Sequence, residues 1–266
     1  MKVRAIAIIG GGNLGTAIAG GLMANDLFKP AQITITRRRV KLLSDFHAQG
    51  VTVTDDNSAA VQNADLVFSG VKPYQLKEVV KDIASSLKPG AILISLATGI
   101  SSSQIESYCG TGFPIFRAMP NTAIEIGESM TCISSFNATS DQEQLVLDLF
   151  SQMGQALIIP EELMAASTVL AACGIAYAMR FIRAATQGGI EIGFGAKLAL
   201  QISAQTIKGA ADLLIQKGTH PEDEIDKVTT PRGVTISGLN EMEHQGFSSA
   251  LIKGLLTSFE KIENNK

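Results

Sequence analysis

Short apolar runs alternate with helical patterns over the first 160 residues of the chain. The runs are rich in Ile and Val and lack a polar face, which is typical of strands buried on both sides of a parallel sheet. Eight strands are predicted: Val3–Ile9, Gln32–Thr36, Val51–Thr54, Leu66–Ser69, Ala91–Leu96, Pro114–Ala118, Met130–Ser134 and Ala156–Ile159. This alternation with helices predicts a doubly wound α/β sheet with right-handed crossovers.

Between these strands, apolar residues recur at the spacing of a helix. Three early helices are predicted at Asn13–Asn25, Val40–Gln49 and Gln75–Leu87. A later helix is predicted to begin at Ser140 and to end near Met153. Ser140 and the glutamate three residues later have the spacing of a capping box, which marks a helix N-terminus.

Beyond Pro160 the pattern is helical throughout. The predicted helices are Glu161–Gly188, Ala196–Lys217, Pro221–Val228, Val234–Glu243 and Phe247–Glu263. The first two are apolar on nearly every face, and such helices must be surrounded by protein. We therefore predict two domains, residues 1–160 and an all-α domain at residues 161–266 that buries itself against a second copy of the chain. The alternative is that these helices pack only on the N-terminal domain.

Composition narrows the classes of function. Of the 266 residues, 45% are hydrophobic and 18% charged, and the formal net charge is −3. This balance argues against a basic field that would bind nucleic acid or an anionic membrane. The uncharged segment Ala165–Met179 is shorter than the ~20 residues that a membrane span needs, so it is predicted to be a buried helix.

The cysteines and histidines indicate neither a metal site nor a nucleophile. Three cysteines lie far apart and form no C-x-x-C pair, which predicts reduced thiols in a cytoplasmic protein. The three histidines lack metal-ligand spacing among themselves or with cysteine, so no metal is predicted. Cys173 is interpreted as a small packed residue rather than a nucleophile.

A glycine-rich motif follows the first predicted strand and opens the first predicted helix. Residues 10–15 read G-x-G-x-x-G. Gly10 permits a tight turn, Gly12 lets the backbone approach a pyrophosphate, and Gly15 lets the helix close on the strand. Amides at the helix N-terminus suit a phosphate. The motif predicts a Rossmann-type dinucleotide site, and a glycine-rich turn without a ligand is the alternative.

The residues after the second predicted strand select the nucleotide. An NAD site usually carries Asp or Glu about 20 residues beyond the glycines, where it binds the ribose 2′-hydroxyl. This chain instead has Arg37, Arg38 and Arg39. Guanidinium groups bind a 2′-phosphate with two hydrogen bonds, so NADPH is predicted, with NADH as the weaker alternative. One or two of the three arginines also fit a solvated helix start.

The usual proton donors of alcohol and ketone dehydrogenases are absent from the middle of the chain. No Lys occurs between Lys88 and Lys197. No His occurs between His47 and His220. A protonated C=N substrate needs no such acid, because hydride addition to an iminium carbon leaves a neutral amine. The absence therefore favours a substrate with a carbon–nitrogen double bond.

Further motifs follow the glycine loop in a specific order. They are Asp56-Asn57, Gly70–Pro73, Arg117–Thr122, Gly188-Gly189, Ala204–Thr206, Gly209–Ala211 and Thr230–Leu239. Together with Ile9–Gly15 they resemble the pyrroline-5-carboxylate reductase family over nearly the whole chain. The resemblance implies NADPH-dependent reduction of 1-pyrroline-5-carboxylate to L-proline, the last step of proline biosynthesis. It also implies a homodimer or larger homo-oligomer formed through the C-terminal helices.

The resemblance implies roles for individual residues. The implied cofactor-binding positions are Gly10, Gly12, Asn13, Leu14, Gly15, Arg37, Arg38, Asn57, Gly70, Val71, Lys72, Pro73, Leu96, Ala97 and Thr98. The implied substrate positions are Asn121, Thr230, Gly233, Val234 and Thr235. Thr235 is the implied catalytic residue, because its hydroxyl would meet the ring nitrogen. Backbone amides at the helix that follows the loop suit the substrate carboxylate.

Three features depart from the family pattern. The common loop Pro-Gly-Gly-Thr-Thr is Pro-Arg-Gly-Val-Thr at residues 231–235, so that Arg232 replaces Gly. The usual helix start Ser-Gly-Ser-Gly-Pro-Ala-Tyr is Ala-Ala-Cys-Gly-Ile-Ala-Tyr at residues 171–177, and Gly70 replaces Ala. Two other functions stay open: a related imine or hydroxyacid oxidoreductase, and a nucleotide-sensing relative without turnover.

Overall fold

All eight predicted strands are present and form one sheet. The computed structural model describes residues 3–264. The strands are β1 (Ile6–Ile9), β2 (Ile33–Thr36), β3 (Thr52–Thr54), β4 (Leu66–Ser69), β5 (Ile92–Ser95), β6 (Ile115–Met119), β7 (Ser129–Phe136) and β8 (Gly154–Ile158). Their order in the sheet is β3-β2-β1-β4-β5-β6-β7-β8. The first six strands therefore have the Rossmann order, in which the chain reverses direction across the sheet between β1 and β4.

Helices connect the strands and make up the C-terminal part. They are α1 (Asn13–Ala24), α2 (Ser44–Ala48), α3 (Asn57–Val61), α4 (Pro73–Ala84), α5 (Ser102–Cys109), α6 (Ser140–Ser151), α7 (Met164–Ser167), α8 (Gly174–Glu191), α9 (Ala196–Lys217), α10 (Pro221–Val228), α11 (Val234–His244) and α12 (Phe247–Glu263). Short 3₁₀ helices lie at Pro30–Gln32, Val40–Leu43, Thr122–Ile126 and Glu161–Leu163, and a π-helix lies at Thr168–Cys173.

The sheet is parallel through β6 and then reverses. β7 pairs antiparallel with β6, and β8 pairs parallel with β7. The last two strands therefore do not continue the parallel sheet that the apolar runs predict. A parallel neighbour needs a crossover of a dozen or more residues. Only residues 120–128 connect β6 to β7, so the chain turns back directly.

Alternate residues of the central strands supply two separate cores. In β1, Ile6 and Ile8 pack into the apolar cluster on one face of the sheet. Ala7 and Ile9 pack into the cluster on the other face. All four side chains are buried, as expected where helices cover both faces of a parallel sheet.

The capping box of α6 lies one residue before its predicted position. Thr139 is extended and its side chain accepts a hydrogen bond from the Gln142 N–H. The Gln142 side chain in turn accepts from the Thr139 N–H. Ser140 is thus the first helical residue, and Glu143 instead accepts a hydrogen bond from the Ser135 hydroxyl. The sequence Thr-Ser-Asp-Gln-Glu fits a capping box in two adjacent registers, and tertiary contacts select the first.

The chain divides into two compact units. The first runs to Cys173 and includes the chain from Phe259 onward, and the second is Gly174–Ser258. In the second unit α8 and α9 approach closely, since a β-carbon on Gly189 would lie 3.1 Å from that of Ala199. The rings of Phe181 and Phe247 meet edge to face at 5.9 Å. These contacts join α8 to α9 and to α12.

Much of the apolar surface of the second unit is exposed in the single chain. Its exposed large hydrophobic residues include Met179, Ile190, Ile192, Leu198, Leu200, Ile202, Ile215, Leu251 and Ile252. By length and composition alone, the helical stretch Glu161–Glu191 is apolar enough to cross a membrane, with a mean hydropathy of 1.5. Only 22% of its most apolar window is buried within the chain. The segment Ala165–Met179, which is predicted to be a buried helix, is only partly buried within the single chain.

Asp65 joins the N-terminal segment to the start of β4. Its carboxylate accepts hydrogen bonds from the N–H of Arg4 at 2.7 Å and of Ala5 at 3.3 Å, and pairs with Lys88. Burial alone would raise the pKa of Asp65, but the bonds to Lys88 and to the two amides outweigh it and lower the pKa. The folded pKa lies below the unfolded one, so this stabilisation is present above about pH 3.9 and is lost as the pH falls.

We predict that Asp65→Asn lowers the free energy of unfolding by about 1–3 kcal/mol at pH 7, because two amides and an ammonium lose a charged acceptor. The difference from wild type should shrink as the pH falls from 5 to 3. Urea unfolding at fixed protein concentration across this pH range measures it. The exposed Asp55→Asn serves as the control, with a change within about 0.5 kcal/mol. A difference that does not depend on pH would contradict the role given to the carboxylate.

Candidate functional site

In the turn between β1 and α1, Gly10 and Gly15 leave no room for side chains. Gly10 has a φ of +99°, in the region that glycine favours. A β-carbon on Gly15 would lie 2.3 Å from the Gly10 carbonyl oxygen. A β-carbon on Gly10 would lie 3.0 Å from Val71 Cγ1. The glycine spacing therefore packs the helix directly against the strand end and against the turn after β4.

Hydrogen bonds tie this turn to the strand ends on either side. The Gly11 N–H donates to the Thr36 carbonyl at 2.7 Å, and the Gly10 N–H donates to the Thr36 hydroxyl at 3.3 Å. The Gly70 N–H donates to the Ile9 carbonyl at 2.7 Å. The turn thus lies where strand order reverses, which is the place where open α/β sheets bind ligands.

The N-terminus of α1 is open. Its cap is Gly12, which is exposed and supplies no capping side chain. A β-carbon on Gly12 would meet no atom within 4 Å. Gly12 is therefore not required by packing within the chain, unlike Gly15. Uncapped amides, a positive helix end and free space are what a pyrophosphate requires, so the residues present fit a dinucleotide.

Arg37 and Asn57 lie beside the glycine turn. Arg37 Nη1 donates to the Gly11 carbonyl at 2.9 Å. The Thr36 hydroxyl donates to Asn57 Oδ1 at 2.6 Å, which fixes that side chain at the start of α3. Arg38 is exposed, as is Arg39. Of the three arginines, Arg37 is thus the one that the structure brings to the loop.

The remaining predicted cofactor positions lie at the ends of β4 and β5. A β-carbon on Gly70 would lie 3.7 Å from Leu96 Cδ1, so these two strand ends meet. Leu96 and Ala97 are buried, and Thr98 is partly exposed. Lys72 and Pro73 are exposed at the start of α4. The segments named by the resemblance therefore form one continuous edge of the sheet.

Asn121 is already engaged within the protein. Its Oδ1 accepts from the Ala123 N–H at 3.0 Å and so caps the 3₁₀ helix Thr122–Ile126. Its Nδ2 donates to the Ala171 carbonyl at 3.3 Å, within the π-helix. Asn121 thus has a structural role in addition to the substrate role that the resemblance implies.

Sequence reasoning gave no role to a partly buried ion pair beside this edge. Arg117 Nη1 lies 2.9 Å from Glu161 Oε1, which also accepts from the Ser102 N–H at 2.7 Å. Partial burial would raise the pKa of Glu161, but the bonds from Ser102 and Arg117 outweigh it and lower the pKa. The pair borders a cavity of about 570 Å³ with Gly99, Ser101, Gln104, Glu162 and Ala165. A charged residue inside the apolar strand β6 is the signal by which the sequence could have singled out Arg117.

The predicted substrate loop is a tight turn that leads into α11. The Gly233 N–H donates to the Thr230 carbonyl at 2.8 Å. A β-carbon on Gly233 would lie 2.6 Å from the Thr230 hydroxyl, so the turn requires glycine there. Gly233 caps α11 without a side-chain bond, and Val234 and Thr235 are exposed in its first turn. The loop thus presents uncapped amides and a threonine hydroxyl.

The structure also describes the surroundings of Tyr177 and Cys173. The Tyr177 hydroxyl is hydrogen-bonded to the Ser258 hydroxyl at 2.7 Å. Burial raises the pKa of the Cys173 thiol, which disfavours the thiolate that a nucleophile needs. Among residues 3–264, no cluster of three or more His, Cys, Asp or Glu side chains is suited to a metal.

Two family models match successive parts of the chain. The model described as pyrroline-5-carboxylate reductase dimerisation matches residues 161–265. The model described as NADP oxidoreductase coenzyme F420-dependent matches residues 5–99. The matches cover the helical part and the strands that carry the glycine turn.

Curated relatives match nearly the whole chain. Pyrroline-5-carboxylate reductase 2 of Dictyostelium discoideum is 42% identical over 96% of this chain and 91% of its own length. Pyrroline-5-carboxylate reductase 1 of the same organism is 46% identical over 96% of this chain. The chain spans about half of the length of pyrroline-5-carboxylate reductase 1, since the match covers 49% of that relative.

A solved structure shares the fold. The Plasmodium falciparum pyrroline carboxylate reductase with NADP bound superposes with a TM-score of 0.91 over 98% of this chain and 97% of its own. The two are 24% identical, so this likeness concerns the fold.

The glycine turn generates a prediction with a matched pair of variants. Gly12→Ser should keep or slightly raise the melting temperature, because serine is a good N-cap, but should weaken NADPH binding about tenfold or more by filling the open space. Gly15→Ala should lower both stability and binding, because its β-carbon collides with Gly10. Thermal unfolding and fluorescence titration with NADPH measure the two effects. Unchanged NADPH affinity in Gly12→Ser would contradict the pyrophosphate site.

The likeness extends across both parts of the chain. One family model matches the helical part, and a relative at 42% identity aligns over nine-tenths of its own length. The order of the first six strands agrees with the Rossmann-type sheet that the glycine motif predicts. The chain belongs to the pyrroline-5-carboxylate reductase family.

Proposed function

We propose that this chain reduces 1-pyrroline-5-carboxylate to L-proline with NADPH. The observation that carries the proposal is the open glycine turn at α1, with the Arg37 guanidinium hydrogen-bonded to it, in a chain of this family. The relatives' names state the reaction that we assign to this chain.

The N-terminal sheet edge holds the cofactor. Gly10, Gly12 and the first amides of α1, at Asn13 and Leu14, bind the pyrophosphate, while Gly15 lets the helix approach. Arg37 binds the 2′-phosphate, and Asn57 holds the adenosine end. The turn at 70–73 and the segment 96–98 lie along the rest of the molecule. When bound, the reduced nicotinamide supplies a hydride.

The loop Thr230–Thr235 holds the substrate. The amides of Val234 and Thr235 are uncapped and suit the carboxylate, since a helix N-terminus favours an anion. The Thr235 hydroxyl hydrogen-bonds the ring nitrogen and orients the carbon–nitrogen double bond. Addition of hydride to the carbon of the protonated imine moves the double-bond electrons to nitrogen and yields a neutral amine. No Lys or His acid is needed for this step.

The two predicted domains divide these tasks. Residues 1–160 bind the cofactor, and residues 161–266 bind the substrate and join copies of the chain. The exposed apolar faces of α8 and α9, together with the dimerisation model that matches this part, support a homodimer or larger homo-oligomer through the C-terminal helices. A second copy, rather than a membrane, supplies the covering that these faces need. The free cysteines agree with a cytoplasmic protein.

The rate of NADPH oxidation in the presence of 1-pyrroline-5-carboxylate tests the proposal. In a parallel assay, 3-hydroxyacids are offered as substrates for oxidation with NADP⁺. We expect turnover of the imine alone. Thr235→Ala should lower kcat/KM for the imine about tenfold or more, the loss expected for one hydrogen bond to a reacting group, and Thr235→Ser should restore much of it. Thr257→Ala, an exposed threonine on α12, is the control. Tight NADPH binding without turnover would favour a nucleotide sensor, and full activity of Thr235→Ala would contradict the role of the hydroxyl.

A second prediction concerns the choice of nucleotide. Arg37→Ala should raise KM for NADPH roughly tenfold, because a charge-assisted bond to the 2′-phosphate is lost, and should change KM for NADH by less than about twofold. Arg39→Ala, which is exposed and outside the predicted site, controls for the loss of one charge. Equal rises for both nucleotides would show that Arg37 acts only through its bond to the Gly11 carbonyl.

A further inference from the structure

Arg232 occupies a backbone position that ordinarily selects glycine. Residues 230–233 form a turn closed by the bond from the Gly233 N–H to the Thr230 carbonyl. Pro231 precedes Arg232, which has a φ of +62°. Proline followed by a residue with positive φ is the pattern of a type II turn, whose third residue is usually Gly or Asn. Arginine is therefore held here against its backbone preference.

The fold gains nothing visible from this side chain. A non-glycine residue in the left-handed region costs roughly 1 kcal/mol. Asp26 and Asn137, the other non-glycine residues with positive φ between residues 3 and 264, are of the types that tolerate it. Arg232 is exposed and makes no hydrogen bond or ion pair with the described residues. No contact within the described chain offsets the free-energy cost of this backbone conformation. We therefore look to a bound molecule for the partner of the Arg232 side chain.

The sequence around Arg232 supplies hydrogen-bond donors and no carboxylate. No Asp or Glu occurs between Asp226 and Glu241. The hydroxyls of Thr230 and Thr235 flank the turn, and the amides at the start of α11 have no capping side chain. Such a cluster favours an anion over a neutral or cationic group.

We propose that Arg232 is a specificity-determining residue that binds the carboxylate of the substrate, in addition to the helix amides. This inference rests on the proposed function, because it places the substrate at the same loop. It states that the enzyme selects cyclic imines bearing a carboxylate over uncharged imines of the same ring. The carboxylate does not change during hydride addition, so the arginine contributes to binding in the ground and transition states alike.

The test compares two substrates with the full-length enzyme and NADPH. In Arg232→Gly, KM for 1-pyrroline-5-carboxylate should rise about tenfold, as expected for a lost bond between charged groups, with kcat nearly unchanged. KM for 1-pyrroline, which lacks the carboxylate, should change by less than about twofold. Product inhibition gives a second measurement: the inhibition constant of L-proline should rise and that of pyrrolidine should not.

Control variants separate charge from backbone strain. Arg232→Ala should match Arg232→Gly in KM, because both remove the guanidinium and only glycine removes the positive-φ cost. Arg232→Lys should retain part of the affinity, and Lys253→Ala, an exposed cation on α12, should have no effect. The assignment would be overturned if Arg232→Gly raised KM equally for both imines or changed neither. A rise in KM for NADPH instead would also overturn it. Absence of imine turnover in the wild-type enzyme would refute the proposed function itself.

Discussion

The rest of this structure depends on the close approach of α1 to the end of β1. That approach requires the absence of a β-carbon at Gly15, which faces the Gly10 carbonyl, and a positive φ at Gly10. The N-cap of the helix, Gly12, directly follows Gly11, whose carbonyl accepts a hydrogen bond from the Arg37 guanidinium. The close approach of α1 also sets the position of β1, from which both cores of the sheet are built.

The central strands could be predicted because burial on both faces leaves a strong signal. Runs such as Ile6–Ile9 and Leu66–Ser69 have no polar side to confuse the pattern. The direction of β7 could not be read from such runs, since an apolar strand looks the same in either orientation. The cap of α6 was displaced by one residue because Thr139 and Ser140 both suit the position, and the bond from Ser135 to Glu143 decides between them.

The candidate site was predictable where backbone geometry restricts residue type. The glycines at 10 and 15 and the glycine at 233 are each required by a close contact within the chain. Side chains that act through partners distant in sequence were harder to find. Arg117 meets Glu161 across 44 residues, and a single charged residue in a strand does not name its partner. The exposed helical faces were predicted to need a second copy because their periodicity shows no polar side, a property of sequence alone.

Asn121 shows how bonds within the chain fix the orientation of a side-chain amide. Its amide oxygen must face the Ala123 N–H and its nitrogen must face the Ala171 carbonyl, so the amide cannot be rotated by 180° without breaking both bonds. One N–H and one oxygen lone pair are left over, and their directions are set before any molecule arrives. An aspartate would have the same shape but would lose the donor to the π-helix and bring a negative charge. Asparagine is therefore the side chain that presents a fixed donor–acceptor pair at this point without adding charge.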